Sequence, residues 1–466
     1  MKLLIGPISL FFVLSILSVT ACGDFPAEGH ANEGPRTYIV DGSTIIVPDS
    51  AGRAQLIIPE GEVVLGFFSS TAEHGKYSFS FTGTSLDVLD GFVPTVGFHT
   101  RGIWNQVGGL DEDELEAAFL PAISTAVVVS DAPVKRTFTA PAGRNKSGFV
   151  DVDAVKVAEG NRVILYADDP NPMVRDVAQS LVDYVEHIAL PQTTKLFGPI
   201  PDVDGSGKLI LLMSDVVNNF SNDPGAFTGG FFSSKDLTGR EGSNHASMLY
   251  LYLPKPRKAG GAYDHVDDYQ ALLKEVIVHE LQHIISFGAR QLVGARSEES
   301  WLNEGISHWA EEYFGFHRSN RIRSRHFLQE PTVTPLIGRG TALSERGASY
   351  LFVKFLVEQH EDDPTFIRRL VQSGKRGIAN IEAVTGRPFE EVVADWTASL
   401  YRDHAEQLLV EDLGTGLQYN AELSQSAKTF IRLRGPAVVD LTVSPEGNFR
   451  GVMLESENQE LADSRS

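Results

Sequence analysis

The sequence has 466 residues but only one cysteine, Cys22, which excludes an internal disulfide and leaves stability to packing. It also lacks an excess of basic residues, and its formal net charge is −21 at pH 7. An acidic surface repels phosphates, so we expect no nucleic-acid partner. Hydrophobic residues make up 42% and charged residues 22%, values typical of a globular protein, and the length suffices for two or three domains.

The N-terminal segment predicts export. A short basic start precedes an apolar run over residues 3–19, which is shorter than the roughly 20 residues that span a bilayer. We therefore predict a cleaved signal peptide at residues 1–21. The segment ends in Val-Thr-Ala-Cys and resembles a bacterial lipobox, which implies that Cys22 is lipidated and holds the exported protein on a bacterial membrane or cell surface. The alternative is ordinary cleavage after Ala21 beside an incidental cysteine.

The rest of the chain predicts an α+β protein with several parts. Residues 22–36 are polar and rich in Gly and Pro, as expected of a flexible tether behind the lipidated cysteine. Short β-type runs predict an all-β, sandwich-like domain over residues 37–157. Strands and then amphipathic helices follow over 158–410, with helices at 268–287 and 299–314. A C-terminal β segment is expected at 411–454 and a polar tail at 455–466.

Residues 279–283 read H-E-L-Q-H and lie within the helix predicted at 268–287. Two histidines four residues apart lie on one side of a helix, so His279 and His283 can bind a single Zn²⁺ ion. Glu280 adjoins the first histidine, where it can accept a proton from a water molecule that zinc activates. The motif flanks a hydrophobic stretch, where unpaired imidazoles would be costly to bury. The pattern therefore predicts a zinc site with Glu280 as general base.

A catalytic zinc site has three protein ligands and leaves one position for water, so one more ligand is needed. Three candidates share one face of the second predicted helix at positions i, i+4 and i+7, namely Glu304, His308 and Glu311. All three side chains are of types that bind zinc, and helical spacing alone leaves the choice open.

The segment around Glu304 resembles that of a known family. Residues 301–305 read W-L-N-E-G and follow the H-E-x-x-H motif in the way typical of the gluzincin metallopeptidases. Aminopeptidase N relatives carry W-L-N-E-G, and thermolysin-like enzymes carry a similar N-E-x-x-S segment. The resemblance implies that Glu304 is the third zinc ligand. Thermolysin-like enzymes have an Asp four residues later that supports a zinc histidine. His308 stands at that position here, so we expect His308 or Glu311 to take the supporting role.

Weaker similarity extends over about residues 160–405. The segments 208–213 and 225–232 resemble the sheet that precedes the active-site helix, and the segments 347–352 and 385–396 resemble the helical half of hyicolysin-like bacterial peptidases. This resemblance implies a thermolysin-like catalytic domain over 158–410, with a mixed sheet, an active-site helix and a helical subdomain.

The resemblance leaves the group that stabilises the oxyanion unassigned. Aminopeptidase N relatives use the Tyr of a Y-x-K-G-A segment, and alignment on residues 347–348 places Ser344 there. Tyr350 is the nearest substitute, with packing in the helix core as the competing interpretation. His317 and His326 are further candidates.

The predicted function is that of an exported zinc metallopeptidase acting on peptides or proteins. The sequence lacks the G-x-M-E-N segment with which the aminopeptidases hold a free amine, and this favours an endopeptidase. Residues 229–232 or 246–250 are candidates for an edge strand that pairs with an extended peptide. The alternative is a non-catalytic, surface-binding lipoprotein on a degenerate peptidase scaffold, with zinc structural or absent.

Overall fold

The computed structural model describes residues 35–39, 45–85, 132–143, 148–220, 228–255, 266–413 and 418–455. The predicted signal peptide, Cys22, most of the tether and residues 456–466 lie outside these ranges. Within the ranges, no helix combines the length and the apolar character needed to cross a membrane. The described chain mixes helices with strands, which is compatible with the predicted α+β class.

Along the chain, strands come first, then helices, then strands again. The strands are β1 (Arg36–Ile39), β2 (Ile45–Ile46), β3 (Arg53–Ser69), β4 (Lys76–Ser85), β5 (Lys135–Pro141), β6 (Phe149–Glu159), β7 (Val163–Ala167), β8 (Leu209–Ser214), β9 (Gly230–Phe232), β10 (Met248–Tyr252), β11 (Glu411–Asp412), β12 (Gln418–Ser424), β13 (Lys428–Val443) and β14 (Phe449–Glu455). The helices are α1 (Pro172–Tyr184), α2 (Leu190–Phe197), α3 (Asp215–Asn219), α4 (Val266–Arg290), α5 (Ser300–Tyr313), α6 (Arg318–Gln329), α7 (Leu343–Glu358), α8 (Phe366–Gln372), α9 (Gly377–Thr385) and α10 (Phe389–His404). A π-helical turn at Val185–Ala189 joins α1 to α2.

Strands from both ends of the described chain form one eight-stranded sheet, which we call sheet A. Its order is β12-β4-β13-β3-β14-β2, with β1 paired to β3 and β11 paired to β13. Alternate residues of β3 face opposite sides, as strand geometry requires. Leu65 and Phe67 pack within the core of the sheet itself, whereas Val64 and Phe68 belong to the core that contains α10. The N-terminal and C-terminal β segments are therefore parts of one sheet.

The second sheet, sheet B, has the order β5-β6-β7-β8-β10-β9. Strands β5 and β6 pair antiparallel with one another, and β6 pairs with β7. These strands join the sheet of the central region, although the sequence-based division places residues up to 157 with the N-terminal strands. A short alternating run shows that a strand forms but does not identify its partner. The domain boundaries themselves stay a prediction.

The middle strands of sheet B are covered on both faces, which explains their continuous apolar sequences. All residues of β7 and β8 are buried. Leu165 and Leu211 face the core that includes α1, α2 and α4, whereas Tyr166 and Leu212 face a smaller core on the other side. Helix α4 contacts β9 and β10, and it also packs against α5, which packs against α7. This arrangement brings the two motif-bearing helices together beside the β9 edge of sheet B.

Candidate metal centre

Helix α4 presents the H-E-x-x-H residues next to the edge of sheet B. Ile277, Val278 and Leu281 are fully buried and hold this part of the helix in the core. His279 and His283 lie one turn apart, and their Nε2 atoms are separated by 3.1 Å. His279 is only 6% exposed, so its imidazole is largely withdrawn from bulk water. Two imidazole nitrogens therefore converge on one point in a sheltered place.

Glu304 on α5 completes a triangle of ligand atoms. Its Oε1 lies 3.3 Å from Nε2 of His283, and its Oε2 lies 3.6 Å from Nε2 of His279. A tetrahedral zinc ion with bonds of about 2.0–2.1 Å separates its ligand atoms by about 3.3 Å. The three side chains form one of the groups in the described chain that could hold a metal ion, and their spacing fits zinc.

Glu311 holds the other ring nitrogen of His279. Its Oε1 accepts from Nδ1 of His279 at 2.8 Å and from Nδ1 of His308 at 3.0 Å, and its Oε2 accepts from Arg323. Burial alone would raise the pKa of Glu311, but the Arg323 guanidinium and the His308 ring hold it well below its usual range. The ionised carboxylate accepts the Nδ1 proton, which leaves the Nε2 lone pair of His279 for a metal.

His283 is supported by uncharged groups of helix α5. Ser307 donates its hydroxyl proton to Gln282, and its Oγ lies 3.3 Å from Nδ1 of His283. The side-chain amide of Asn303 lies 3.0 Å from the same Nδ1 atom. From one face, helix α5 thus provides both the candidate third ligand and the groups that contact Nδ1 of the two histidines.

His308 lies behind the ligand triangle. His279, His308 and Glu311 form a second group in the described chain that could hold a metal ion, but Nδ1 of each histidine is already hydrogen-bonded to Glu311. Burial and the nearby Arg323 lower the pKa of His308 to about 3, so its ring is neutral. Nε2 of His308 and Oε2 of Glu304 are 3.7 Å apart, and both are buried without a hydrogen-bond partner among the described residues. Such unpaired acceptors are costly, and a cation beside Glu304 relieves that cost, so the donor set fits a metal.

Glu280 faces the edge strand β9. Its Oε2 accepts from the backbone N–H of Phe232 at 2.9 Å. Strand β9 is the terminal strand of sheet B and pairs on its other side with β10. The carboxylate therefore lies between the histidines that flank it on α4 and the outer edge of the sheet.

The residues considered for the oxyanion have contacts of their own. Tyr350 is buried on α7, and its hydroxyl bonds to the Glu312 carboxylate, which together with burial raises the pKa of Tyr350. Glu312 also contacts Nδ1 of His317 at 2.9 Å. His326 is half-buried on α6 and Ser344 lies in the first turn of α7. Tyr350 thus belongs to the contact between α5 and α7, and its role at the oxyanion stays a prediction.

The site contains two buried arginines that the sequence does not predict. Arg323 of α6 pairs with Glu311, and Nη2 of Arg346 on α7 lies 3.9 Å from Oε2 of Glu304. Burial would raise the pKa of Glu304, but Arg346, His283 and His279 lower it well below its usual range. A sequence signal for this packing is Gly347, where an added Cβ would lie 2.1 Å from the backbone oxygen of Arg323. It indicates a close contact but does not identify the partner.

The chain was compared with known proteins. No model of a protein family matches it. Over 190 residues it is 25% identical to "Neutral metalloprotease ShpI" of Staphylococcus hyicus, and the match covers 39% of this chain and 42% of that protein. The chain therefore spans about two fifths of the length of this curated relative. Similarity of this extent supports a relationship to metallopeptidases and no finer assignment.

Proposed function

We propose that the protein is a zinc-dependent peptidase whose metal is held by His279, His283 and Glu304. The observation that carries the proposal is the triangle of ligand atoms 3.1–3.6 Å apart. The partial similarity to a neutral metalloprotease supports it independently. Bound zinc supplies a Lewis acid that polarises a carbonyl oxygen and lowers the pKa of a water molecule to about 7. The mixed sheet and the helices around the site are proposed to form a thermolysin-like catalytic domain.

Glu280 is the proposed general base. Its carboxylate takes a proton from water as the water oxygen bonds to the carbonyl carbon and the carbonyl π electrons move to the carbonyl oxygen. As the C–N bond breaks, Glu280 passes the proton to the leaving amine nitrogen and is ionised again. The 2.9 Å hydrogen bond from the Phe232 backbone directs the carboxylate before substrate binds. Glu311 keeps His279 in the tautomer that binds metal through Nε2.

An endopeptidase is favoured over an aminopeptidase. Strand β9 (Gly230–Phe232) is an edge strand beside Glu280. An extended peptide that pairs with such an edge continues on both sides of the bond next to the base. Peptides with acetylated N-termini are therefore expected to be cleaved as well as free ones. Cleavage that requires a free N-terminus contradicts this preference.

The proposal includes export and membrane attachment through Cys22. The lipobox-like segment supports it, because two or more acyl chains are sufficient for stable anchoring. Cys22→Ser is expected to move the protein from the membrane fraction to the soluble fraction of the producing cell. A variant that stays in the membrane fraction contradicts lipid anchoring at this residue.

The peptidase proposal is tested by Glu280→Gln. We expect the purified variant to keep one zinc ion, measured by atomic absorption, and to lose peptide hydrolysis by about 10²–10⁴-fold or more. Glu361→Gln, at an exposed position after α7, is the matched control and should keep full activity. Full hydrolysis by pure Glu280→Gln overturns the mechanism. A wild-type protein that binds no zinc and cleaves no peptide favours the surface-binding alternative.

A further inference from the structure

The loop between α6 and α7 contacts sheet A with its first half and the candidate metal centre with its second half. It comprises residues 330–342, and we call it the strap. Leu336 of the strap is buried in the same core as Trp301 and Leu302 of α5. The strap is therefore part of the packed structure, and its two halves join parts of the fold that are distant in sequence.

The first half of the strap is attached to the turn between β12 and β13. The backbone oxygen of Pro331 accepts from the N–H of Lys428 at 3.2 Å, and the N–H of Leu336 donates to the backbone oxygen of Ser426 at 3.4 Å. The N–H of Ile337 donates to Oγ of Ser426 at 2.8 Å. Of these three bonds, the one to the Ser426 hydroxyl is the shortest and the nearest in sequence to the second half of the strap.

The second half of the strap lies against the proposed third ligand. The backbone oxygen of Arg339 accepts from Oγ of Ser300 at 3.2 Å, and the backbone oxygen of Gly340 accepts from Nε of Arg346 at 2.7 Å. Gly340 has a φ of +66°, and an added Cβ there would be 3.4 Å from Cγ of Glu304. The strap is thus bonded to α5 and α7 where it adjoins the Glu304 side chain.

Ser426 has a backbone conformation that serine rarely adopts. Its φ is +49°, in the left-handed region where glycine is the usual residue, and its side chain is buried. A residue held in this region costs free energy, and such residues cluster at functional sites. Glycine would form the same turn without that cost, but it would not provide the hydroxyl that accepts from Ile337. The bond to the strap therefore accounts for a serine at this position.

We propose that Ser426 is a positioning residue of the metal centre, whose hydroxyl fixes the strap so that Gly340 keeps the Glu304 side chain beside the two histidines. The inference rests on the proposed function, because it takes Glu304 as a zinc ligand. The connection is short, since Gly340 is the third residue after Ile337. Coupling between two sites is reciprocal, so bound zinc in turn holds the strap against sheet A.

The first test measures zinc affinity of the full chain by competition with a chromophoric chelator. Ser426→Gly keeps the turn at positive φ and removes the hydroxyl, so we expect it to fold and to bind zinc about 10-fold more weakly than wild type. Ser426→Thr keeps the hydroxyl and should keep the zinc affinity, although a β-branched residue at this φ should lower the midpoint of denaturant unfolding. Zinc affinity that follows the unfolding midpoint and not the hydroxyl overturns the proposal.

Asn448→Gly is the matched control. Asn448 also has a positive φ, of +44°, and lies between β13 and β14 of the same sheet. Its side-chain amide donates to Oγ of Ser70 at 2.6 Å, so the substitution likewise removes a side-chain hydrogen bond and relaxes a left-handed residue. The zinc affinity of this variant should equal that of wild type. An equal loss of zinc affinity in Asn448→Gly and Ser426→Gly would reveal a general effect of sheet A and overturn the role of Ser426.

Hydrogen exchange tests the coupling without a catalytic readout. Zinc added to wild type should slow amide exchange in the peptide that contains Ile337, because the Glu304 end of the strap is then fixed. The same peptide should exchange faster in Ser426→Gly than in wild type, both with zinc and without it. Exchange in the strap that does not respond to zinc in wild type overturns the proposal.

The outcomes for this inference and for the proposed function are distinct. A wild-type protein that binds no zinc removes the proposed metal centre and this inference together. Wild-type zinc binding with equal affinity in Ser426→Gly removes the inference alone. Zinc binding without peptide hydrolysis removes the peptidase proposal, whereas the role of Ser426 is still decided by zinc affinity.

Discussion

At the residue scale, the two proposed ligand histidines differ in how their Nδ1 atoms are held. His279 donates to the ionised Glu311, whereas His283 faces the neutral Ser307 and Asn303. Hydrogen bonds to a charged acceptor are about twice as strong as neutral ones, and they raise the basicity of the ligand nitrogen. The Nε2 atom of His279 is therefore expected to be the stronger donor to the metal.

This difference predicts the effect of Glu311→Gln. The change keeps the size of the side chain but removes the anion that His279, His308 and Arg323 share. We expect zinc affinity, measured by competition with a chromophoric chelator, to fall about 10–100-fold. Glu312→Gln is the matched control, because Glu312 contacts His317 and Lys354 instead. Equal zinc affinity in Glu311→Gln and wild type would show that Glu311 does not orient the ligand.

The residues of the site differ in how far the sequence predicts them. His279, Glu280 and His283 follow from spacing on one helix, which is local information. Glu304 follows from a resemblance, since helical spacing leaves His308 and Glu311 as rivals. Arg346 and Arg323 do not follow at all, because they belong to helices whose approach to α5 depends on tertiary packing. Charged residues on a helix are usually solvated, and no local pattern marks the buried ones.

At the element scale, the contact between α5 and α7 sets the position of the third ligand relative to Arg346. Gly305 directly follows Glu304, the proposed ligand, and it lies close to the backbone of α7. An added Cβ at Gly305 would be 2.7 Å from the backbone oxygen of Ser349 and 2.9 Å from a methyl group of Val353. The glycine of the W-L-N-E-G segment is therefore required by helix packing at this position.

Gly305→Ala should consequently disturb both stability and metal binding. Alanine favours a helix over glycine by about 1 kcal/mol, but overpacking at a rigid contact costs about 1–3 kcal/mol and pushes the helices apart. We expect a lower midpoint of denaturant unfolding together with weaker zinc binding. Gly374→Ala is the matched control, because nothing lies within 4 Å of its added Cβ. If Gly305→Ala is less stable but binds zinc as tightly as wild type, the contact between α5 and α7 does not affect the metal site.

The elements themselves are partly predictable. The helices predicted at 268–287 and 299–314 are observed as α4 (Val266–Arg290) and α5 (Ser300–Tyr313), because both bury an apolar stripe. Helix α6 (Arg318–Gln329) has no counterpart in the sequence-based interpretation. It buries Asn320 and Arg323 together with Phe327 and Leu328, so half of its buried face is polar and the hydrophobic pattern is weak. A helix that serves a polar network is hard to recognise by hydrophobic periodicity.

At the scale of the whole molecule, sheet A connects the two ends of the described chain and packs on the helical region. Strand β13 pairs with β3 across most of the length of the chain, and α10 contacts β3 and β14. Strand pairing over such distances is not encoded in any local alternation, which is why the strands were easier to predict than the sheets. The interface between sheet A and α10 contains Lys428, an unusual residue for such a place.

Lys428 at the start of β13 is 1% exposed, and its Nζ has no hydrogen-bond partner among the described residues. The Nζ atom lies 3.3 Å from the ring centroid of Trp396 on α10. A desolvated cation over a Trp ring gains about 2 kcal/mol, whereas a buried unpaired charge costs several kcal/mol. Burial is therefore the larger effect, and it holds the pKa of Lys428 well below its usual range.

The low pKa of Lys428 predicts how stability depends on pH. At pH values between the pKa of Lys428 in the folded protein and about 10.4, the unfolded chain binds a proton at Lys428 and the folded protein does not. Lys428 therefore makes the free energy of unfolding rise with pH, by up to about 1.4 kcal/mol per pH unit. Lys428→Met removes the contribution. We expect the variant to be more stable than wild type at pH 7, with the difference shrinking towards pH 10. Denaturant unfolding at several pH values measures it.

The exposed Lys76→Met removes one positive charge without changing a buried site, so it serves as the control for net charge. The difference in unfolding free energy between Lys76→Met and wild type should not show the same pH dependence. If the stability difference of Lys428→Met is instead constant between pH 7 and pH 10, Lys428 is protonated in the folded protein. The Trp396 ring would then stabilise the charge more than burial opposes it, and the interface between sheet A and α10 would contain a buried cation.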